Sequence, residues 1–215
     1  GLAAAASKGT PRKAPVVVFD LDETVFDNSR FQGRLVVEQR NYDSPLWDCW
    51  VGQKQAFRIA GAELLFRELV RQKVRGRFVT NRKCRARAGD SDPCPQEAET
   101  LENLNALVED TGYVATVDEL LLSGEKNPKT GAAWDDEKQP RRDFISETHA
   151  IVMLAGDDLG DFIEGVRKTT IAVRAEEWAK TKDRWGTGWF LLPNPSYGSW
   201  STAVDQEATA TPPRQ

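Results

Sequence analysis

The sequence predicts an α/β protein in which a parallel sheet carries helices on both faces and a small helical cap lies over the strand ends. Residues 16–19 (VVVF) are β-branched and aromatic without alternation, which is typical of a strand buried on both faces of a parallel sheet. Further apolar strands alternate with helical segments along the chain. Roughly fifty residues separate the first two strands, and this excess over a crossover helix predicts the cap.

The remaining elements follow from local patterns. Before the second strand, Phe57, Ala60, Leu64 and Leu69 fall near helical spacing and predict an amphipathic helix. Residues 96–110 form a second helical pattern, which the following glycine ends. The strands predicted after the first are 76–80, 119–123, 150–155 and 169–175, and a last apolar run spans 189–200.

Composition indicates one globular domain of ordinary character, with 40% hydrophobic and 29% charged residues among 215. We place this domain at 15–200, with the cap insertion at about 28–72 and flexible segments at 1–14 and 201–215. The net charge of −4 shows no nucleic-acid footprint. No apolar run approaches the roughly 20 residues of a membrane span. The sequence leaves open the oligomeric state and whether a removed signal or lipid anchor preceded Gly1.

The cysteines and the histidine limit the metal sites that the chain can form. His149 is the single histidine, which excludes a histidine cluster, and the three cysteines lack CxxC spacing, so a zinc site is not expected. Cys84 and Cys94 bracket a polar loop and form either a disulfide or two free thiols. A disulfide would suit a periplasmic or secreted protein.

Four carboxylates follow two of the predicted strands. Asp20 and Asp22 end the first strand, and their side chains point the same way if the extended conformation continues. Asp157 and Asp161 follow the fourth strand at i, i+4 spacing. Because ligands bind at the carboxyl ends of parallel strands, we expect these groups to converge on Mg²⁺ and a substrate phosphate. The alternative is that the first pair only caps a helix or lies in a solvated loop.

The sequence also offers a nucleophile for phosphoryl transfer. GxSxG and P-loop motifs are absent, whereas a carboxylate can form an aspartyl-phosphate. Asp20 fits this role at the strand end, and Asp22 fits the acid that protonates the leaving group. Thr80 is placed to bond a phosphate oxygen, and a lysine would offset the phosphoryl charge. Asn81 and Arg82 either contact substrate or only shape the turn.

Several motifs carry a family resemblance. FDLDETVFDNS at 19–29, Thr80 in VTNR, and GDDLGDF at 156–162 resemble the first, second and fourth motifs of the haloacid dehalogenase superfamily of phosphohydrolases. With the KxxR of Lys138 and Arg141 and the late LLPNPSYGSW, the chain is more closely similar to the class C (non-specific) acid phosphatases of bacteria. These motifs span nearly the whole chain in one order.

The resemblance implies a Rossmann-like sheet and Mg²⁺-dependent hydrolysis of phosphomonoesters, including nucleoside monophosphates, at acid pH. It assigns Asp20 as nucleophile, Asp22 as acid/base and Thr80 as a phosphate ligand. Lys138 would be the third-motif lysine that steadies the phosphoryl group, although Lys126 and Lys129 lie in the same interval. The implied metal ligands are Asp20, the backbone carbonyl of Asp22, Asp157 and, in support, Asp161.

Two further positions bear on substrate binding and metal binding in the family pattern. Tyr197 matches an aromatic residue that stacks on a nucleobase in relatives, or else it only packs in a turn. Asp158 stands where the family usually has Asn, so the additional carboxylate either tightens metal binding or faces solvent.

Two other functions stay open. One is a phosphatase of the same superfamily with narrow specificity for one metabolite. The other is a non-catalytic binding or storage relative, against which the intact Asp20, Asp22, Thr80 and Asp157 argue.

Overall fold

The structure is a computed structural model that describes residues 13–210. Its strands are Ala14–Phe19 (β1), Phe26–Asp27 (β2), Phe57–Arg58 (β3), Arg75–Lys83 (β4), Leu120–Ser123 (β5), His149–Gly156 (β6) and Trp189–Leu191 (β7). Its α-helices are Ser29–Val37 (α1), Ser44–Gln53 (α2), Ala62–Gln72 (α3), Pro95–Val108 (α4), Gln139–Thr148 (α5), Ile171–Lys180 (α6) and Ser199–Ala210 (α7). Within this part of the chain, no helix has the length and apolarity to cross a membrane.

The central element is a five-stranded parallel sheet with the order β5-β4-β1-β6-β7. β1 lies between β4 and β6, which explains why Val16–Phe19 is apolar without alternation. Because these strands are parallel, Asp20, Thr80 and Gly156 meet at one edge of the sheet. The predicted α/β class is confirmed.

Each face of the sheet has its own core. On one face, Phe66 of α3 stacks on Phe19 with ring centroids 5.7 Å apart, and α4 adds Leu104. On the other face, Ile145 of α5 packs with Val16 and Val18. Helices therefore cover both faces, and the segments near the strand ends are α1, α2 and the β2–β3 pair.

The predicted helix around Phe57 begins later than its pattern indicated. Phe57 lies in β3 and is 47% exposed, and Leu64 is 68% exposed. The buried face of α3 instead consists of Phe66 and Leu69. Gly61, with φ of 88°, precedes this helix and separates it from β3, so the apolar pattern spanned two elements.

The predicted strand at 169–175 is wrong, because α6 occupies this region. The Thr170 side chain accepts a hydrogen bond from the Val173 backbone and caps the helix, whose later residues are good helix formers. The β-branched Ile171 and Val173 misled the prediction, and both side chains are exposed. The fifth strand is β7, which pairs with β6 through Leu154 and Trp189.

The carboxyl-terminal region also differs from the predicted flexible tail at 201–215. Residues up to Ala210 continue α7, which buries Ala203 and is tied to the sheet edge at Ser199. Residues 211–215, and residues 1–12 of the flexible segment predicted at 1–14, lie outside the described part of the chain.

Candidate active site

Three of the predicted carboxylates meet at the carboxyl edge of the sheet. Asp20, Asp157 and Asp161 each place an oxygen within 4.8 Å of the others. Asp20 follows β1 and Asp157 follows the neighbouring β6, while a short 3-10 turn brings Asp161 back to the same point. Asp20 and Asp161 are both buried. The expected convergence is therefore present for these three side chains.

Burial and mutual repulsion shift the pKa values of these carboxylates. Burial raises the pKa of Asp20 to about 6, against the opposing charge of Lys138. Burial, followed by the charges of Asp20 and Asp161, raises the pKa of Asp157 to about 9. Burial also acts to raise the pKa of Asp161, but Lys138 and Arg167 outweigh it and hold this pKa below its usual value. Three carboxylates crowded together in this way are an all-oxygen set that fits a hard divalent cation.

Lys138 is the lysine that the fold brings to the cluster. Its ammonium pairs with Asp20 and lies 2.8 Å from Asp161 Oδ1, and its side chain is 4% exposed. Lys129 instead pairs with Glu147 at the surface. Lys126 is exposed, forms an isolated β-bridge with Ala133 and is not among the residues that line the cleft described below. Of the three lysines that the sequence left open, Lys138 is therefore the one that lies at the carboxylate cluster.

Thr80 is fully buried within β4, and its hydroxyl oxygen accepts a hydrogen bond of 3.1 Å from the Arg82 backbone. Where the sequence predicted a turn at Asn81 and Arg82, β4 continues to Lys83. Arg141 fixes this part of the strand by donating to the Thr80 carbonyl at 2.6 Å and to Asn81 Oδ1 at 2.7 Å. The Arg141 side chain is fully buried. The sequence indicated Arg141 only through the KxxR motif, without this supporting contact.

Asp22 lies apart from the three-carboxylate cluster. Arg82 grips its carboxylate with two nitrogens, Nη2 at 2.7 Å from Oδ1 and Nε at 3.1 Å from Oδ2. Asn28 donates to Oδ1 at 3.0 Å, and the indole of Trp50 in α2 donates to Asn28. The predicted substrate contact of Arg82 stays a prediction, since its side chain is 1% exposed and turned to Asp22.

A cleft of about 560 Å³ connects these groups to the surface. Its aromatic lining consists of Tyr42, Trp47 and Tyr197, the last from the segment between β7 and α7. Arg167 and Lys168 line the same cleft and were missed in the sequence, where nothing distinguishes them from surface cations. The volume and the mixed lining suit a small molecule.

Of the two alternatives predicted for Asp158, the structure contradicts the solvent-facing one, and tighter metal binding stays a prediction. The residue is 7% exposed, so it does not face solvent, and it lies outside the cluster of three carboxylates. Its side chain accepts from the Gly160 backbone and caps the 3-10 turn that carries Asp161.

A parallel sheet that brings buried aspartates and a lysine together at a small cleft, with a buried threonine in the neighbouring strand, defines a phosphohydrolase of the haloacid dehalogenase type. The comparisons agree: over residues 2–200 the chain matches, and belongs to, the family described as HAD superfamily, subfamily IIIB (Acid phosphatase). The chain is accordingly a class C acid phosphatase by family, a phosphomonoesterase.

Two solved structures of the class C acid phosphatase from Bacillus anthracis are similar to this chain. One is 31% identical, with a TM-score of 0.75, and the match covers 96% of this chain and 77% of the other. The second, which has tungstate bound, is 28% identical, with a TM-score of 0.73 and coverage of 90% and 72%.

Proposed function

We propose that this acid phosphatase uses Mg²⁺ and hydrolyses phosphomonoesters, nucleoside monophosphates among them, through an aspartyl-phosphate on Asp20. The observation that carries the proposal is the position of Asp20. It ends the central strand, pairs with the Lys138 ammonium and lies beside Asp157 and Asp161 at the base of the cleft.

The residues that would hold the cation are Asp20 and Asp157, with Asp161 in support and the backbone carbonyl of Asp22 as a fourth oxygen. Their carboxylates are an oxygen-only set of the kind that Mg²⁺ prefers. When bound, the cation would neutralise charge on the phosphate and on the carboxylates.

The protein groups then divide the chemistry. Asp20 attacks phosphorus and forms the acyl-phosphate bond as the bond to the leaving alkoxide breaks, and Asp22 gives that alkoxide its proton. In the second half, Asp22 takes a proton from water, which attacks phosphorus and releases phosphate and free Asp20. Lys138 offsets charge on the phosphoryl oxygens.

The leaving group would lie on the aromatic side of the cleft. Tyr42 and Trp47 line the cleft from the segment before and within α2, and Tyr197 lines it from the segment before α7; aromatic rings of this kind stack on planar bases. This aromatic lining supports the proposal that nucleoside monophosphates are substrates and that Tyr197 stacks on the base.

We also propose a periplasmic or secreted location. The disulfide between Cys84 and Cys94 supports it, because such bonds persist in oxidising compartments.

The test is hydrolysis of an aryl phosphate and of several nucleoside monophosphates at pH 5 and pH 7, with Mg²⁺ or EDTA. Asp20→Asn is run beside the wild type, and circular dichroism checks its fold. We expect broad activity that needs Mg²⁺ and is lost in the variant. Near-full activity of Asp20→Asn would refute the covalent mechanism. Turnover of one metabolite alone would favour the narrow phosphatase, and metal binding without turnover would favour the binding relative.

A further inference from the structure

We infer that Asp158 is a positioning residue for substrate specificity: it holds the segment 194–200 so that Tyr197 forms the wall of the cleft beside the leaving group. The inference rests on the proposed function, because it concerns which phosphomonoesters the cleft accepts. Asp158 acts through Ser199 and does not reach the aromatic ring itself.

Two short hydrogen bonds join Asp158 to Ser199. Asp158 Oδ2 accepts from the Ser199 backbone N–H at 2.6 Å, and Oδ1 accepts from the Ser199 hydroxyl at 2.8 Å. The hydroxyl hydrogen is directed by Arg174, which donates to Ser199 Oγ at 2.7 Å and leaves that hydroxyl to donate to Asp158. Thus the first turn of α7 is fastened to the loop after β6.

The other polar contacts of this carboxylate are also with donors. Oδ1 accepts from the Gly160 N–H at 2.8 Å and lies 3.4 Å from Arg167 Nη1. An Asn amide at this position would place its NH₂ against Ser199 N–H in one orientation and against Gly160 N–H in the other. The site therefore requires a carboxylate, and Arg167 balances its charge.

A second tie holds the other end of the same segment. Asn194 donates from Nδ2 to Asp157 Oδ2 at 2.7 Å, while its own side-chain oxygen accepts from the Tyr197 N–H at 3.3 Å. Tyr197 thus lies between two attachment points, one on Asp157 and one on Asp158.

The chain between these ties is shaped for close approach. Gly198 has φ of 153°, and a Cβ there would lie 2.7 Å from Trp200 Cδ1 and 3.2 Å from Asp158 Oδ2. The glycine lets the backbone pass over the carboxylate. If the hydrogen bonds at Ser199 are lost, the segment loses this fixed path, and Tyr197 loses its fixed position in the lining of the cleft.

The experiment compares adenosine 5′-monophosphate with glycerol phosphate, an ester that has no ring to stack. In Asp158→Asn we expect the ratio of the two kcat/KM values to fall about tenfold in favour of the aliphatic ester, mainly through KM of the nucleotide. Tyr197→Ala should give a similar fall, and the double variant no further fall, since both act on one ring. Asp205→Asn, the same change at an exposed site on α7, should leave the ratio unchanged.

A binding measurement separates this inference from the proposed chemistry. Calorimetric titration with adenosine is made on Asp20→Asn protein, with and without Asp158→Asn. Tenfold weaker adenosine binding when Asp158→Asn is added to Asp20→Asn supports the inference. This holds even if the wild-type protein hydrolyses no ester, an outcome that would count against the phosphatase mechanism alone. Equal adenosine binding in the two proteins, no binding in either, or an equal loss for both esters overturns it. If Asp158→Asn fails to fold, Ser199→Ala takes its place, with a smaller shift in the same direction.

Discussion

The guanidinium of Arg82 and the carboxylate of Asp22 form a bidentate ion pair in the lining of the cleft, with Nη2 2.7 Å from Oδ1. The planar guanidinium fixes the carboxylate plane, which a single ammonium cannot do. Arg82 is itself held by Thr100 at 3.1 Å and lies over the Phe26 ring, 4.5 Å from its centroid. Asp22, the candidate acid/base, is thus oriented by a buried arginine whose own position is fixed by Thr100 and Phe26.

Loss of this fork should reduce catalysis more than substrate binding. In Arg82→Lys the charge stays but the two-point grip is lost, so we expect kcat to fall about tenfold to a hundredfold with KM little changed. Steady-state kinetics on an aryl phosphate measures this. Arg34→Lys, at an exposed ion pair of α1, is the control. An unchanged kcat in folded Arg82→Lys would show that Asp22 needs no positioning by Arg82.

The pair of Lys138 with Asp20 leads to a second prediction. Lys138→Met removes the buried cation beside the nucleophile, and we expect kcat to fall at least a hundredfold because phosphoryl charge is no longer offset. Lys129→Met changes a lysine of the same interval that pairs with Glu147 at the surface, and should keep wild-type kcat. If the two variants lose activity equally, the assignment of Lys138 is wrong.

The parts of the site that the sequence could predict are those carried by local patterns. The apolar run that ends at Asp20 predicts a central strand with a carboxylate at its end. A second apolar run is followed by Asp157 and Asp161, which predicts that these carboxylates lie close to Asp20. The helix α6 was mistaken for a strand because Ile171 and Val173 are β-branched, whereas the Thr170 cap and the following glutamates and alanines favour a helix.

The remaining site contacts join residues that are far apart in sequence. Arg82 reaches Asp22 across sixty positions, and Arg141 reaches Thr80 across sixty-one. Nothing in the sequence distinguishes Arg167 from a surface cation, and only the fold brings it within 3.0 Å of Asp161. Since such pairings depend on the packed sheet and leave no local period, only the structure could reveal them.

Metal binding should depend on pH in a defined direction. The raised pKa values of Asp20, about 6, and Asp157, about 9, mean that at pH 7 the metal-free cluster keeps a proton that a cation must displace. We expect Mg²⁺ affinity to weaken as pH falls from 9 towards 6, by up to about tenfold per unit, with proton release on binding. Calorimetry in two buffers of different ionisation enthalpy measures both effects. Asp157→Asn should flatten the dependence, and a wild-type affinity independent of pH would contradict the prediction.

The disulfide Cys84–Cys94 should stabilise the contact between α2, which lies in the predicted cap, and α4, which packs on the sheet. The loop that it closes carries Arg87, which binds Asp48 of α2 at 2.6 Å and also pairs with Glu99 of α4. Without the bond, the loop has more conformational freedom in the unfolded chain, and Arg87 is held less firmly in the folded one.

We therefore expect the double variant Cys84→Ser, Cys94→Ser to lose about 2–4 kcal/mol of unfolding free energy in urea denaturation. KM for nucleoside monophosphates should rise as well, because α2 carries Trp47 into the cleft. Cys49→Ser, at the exposed free cysteine of α2, removes a thiol from the same helix and should change neither quantity. Equal stability of the double variant and Cys49→Ser would mean that the ion pairs of Arg87 hold the cap without help from the disulfide.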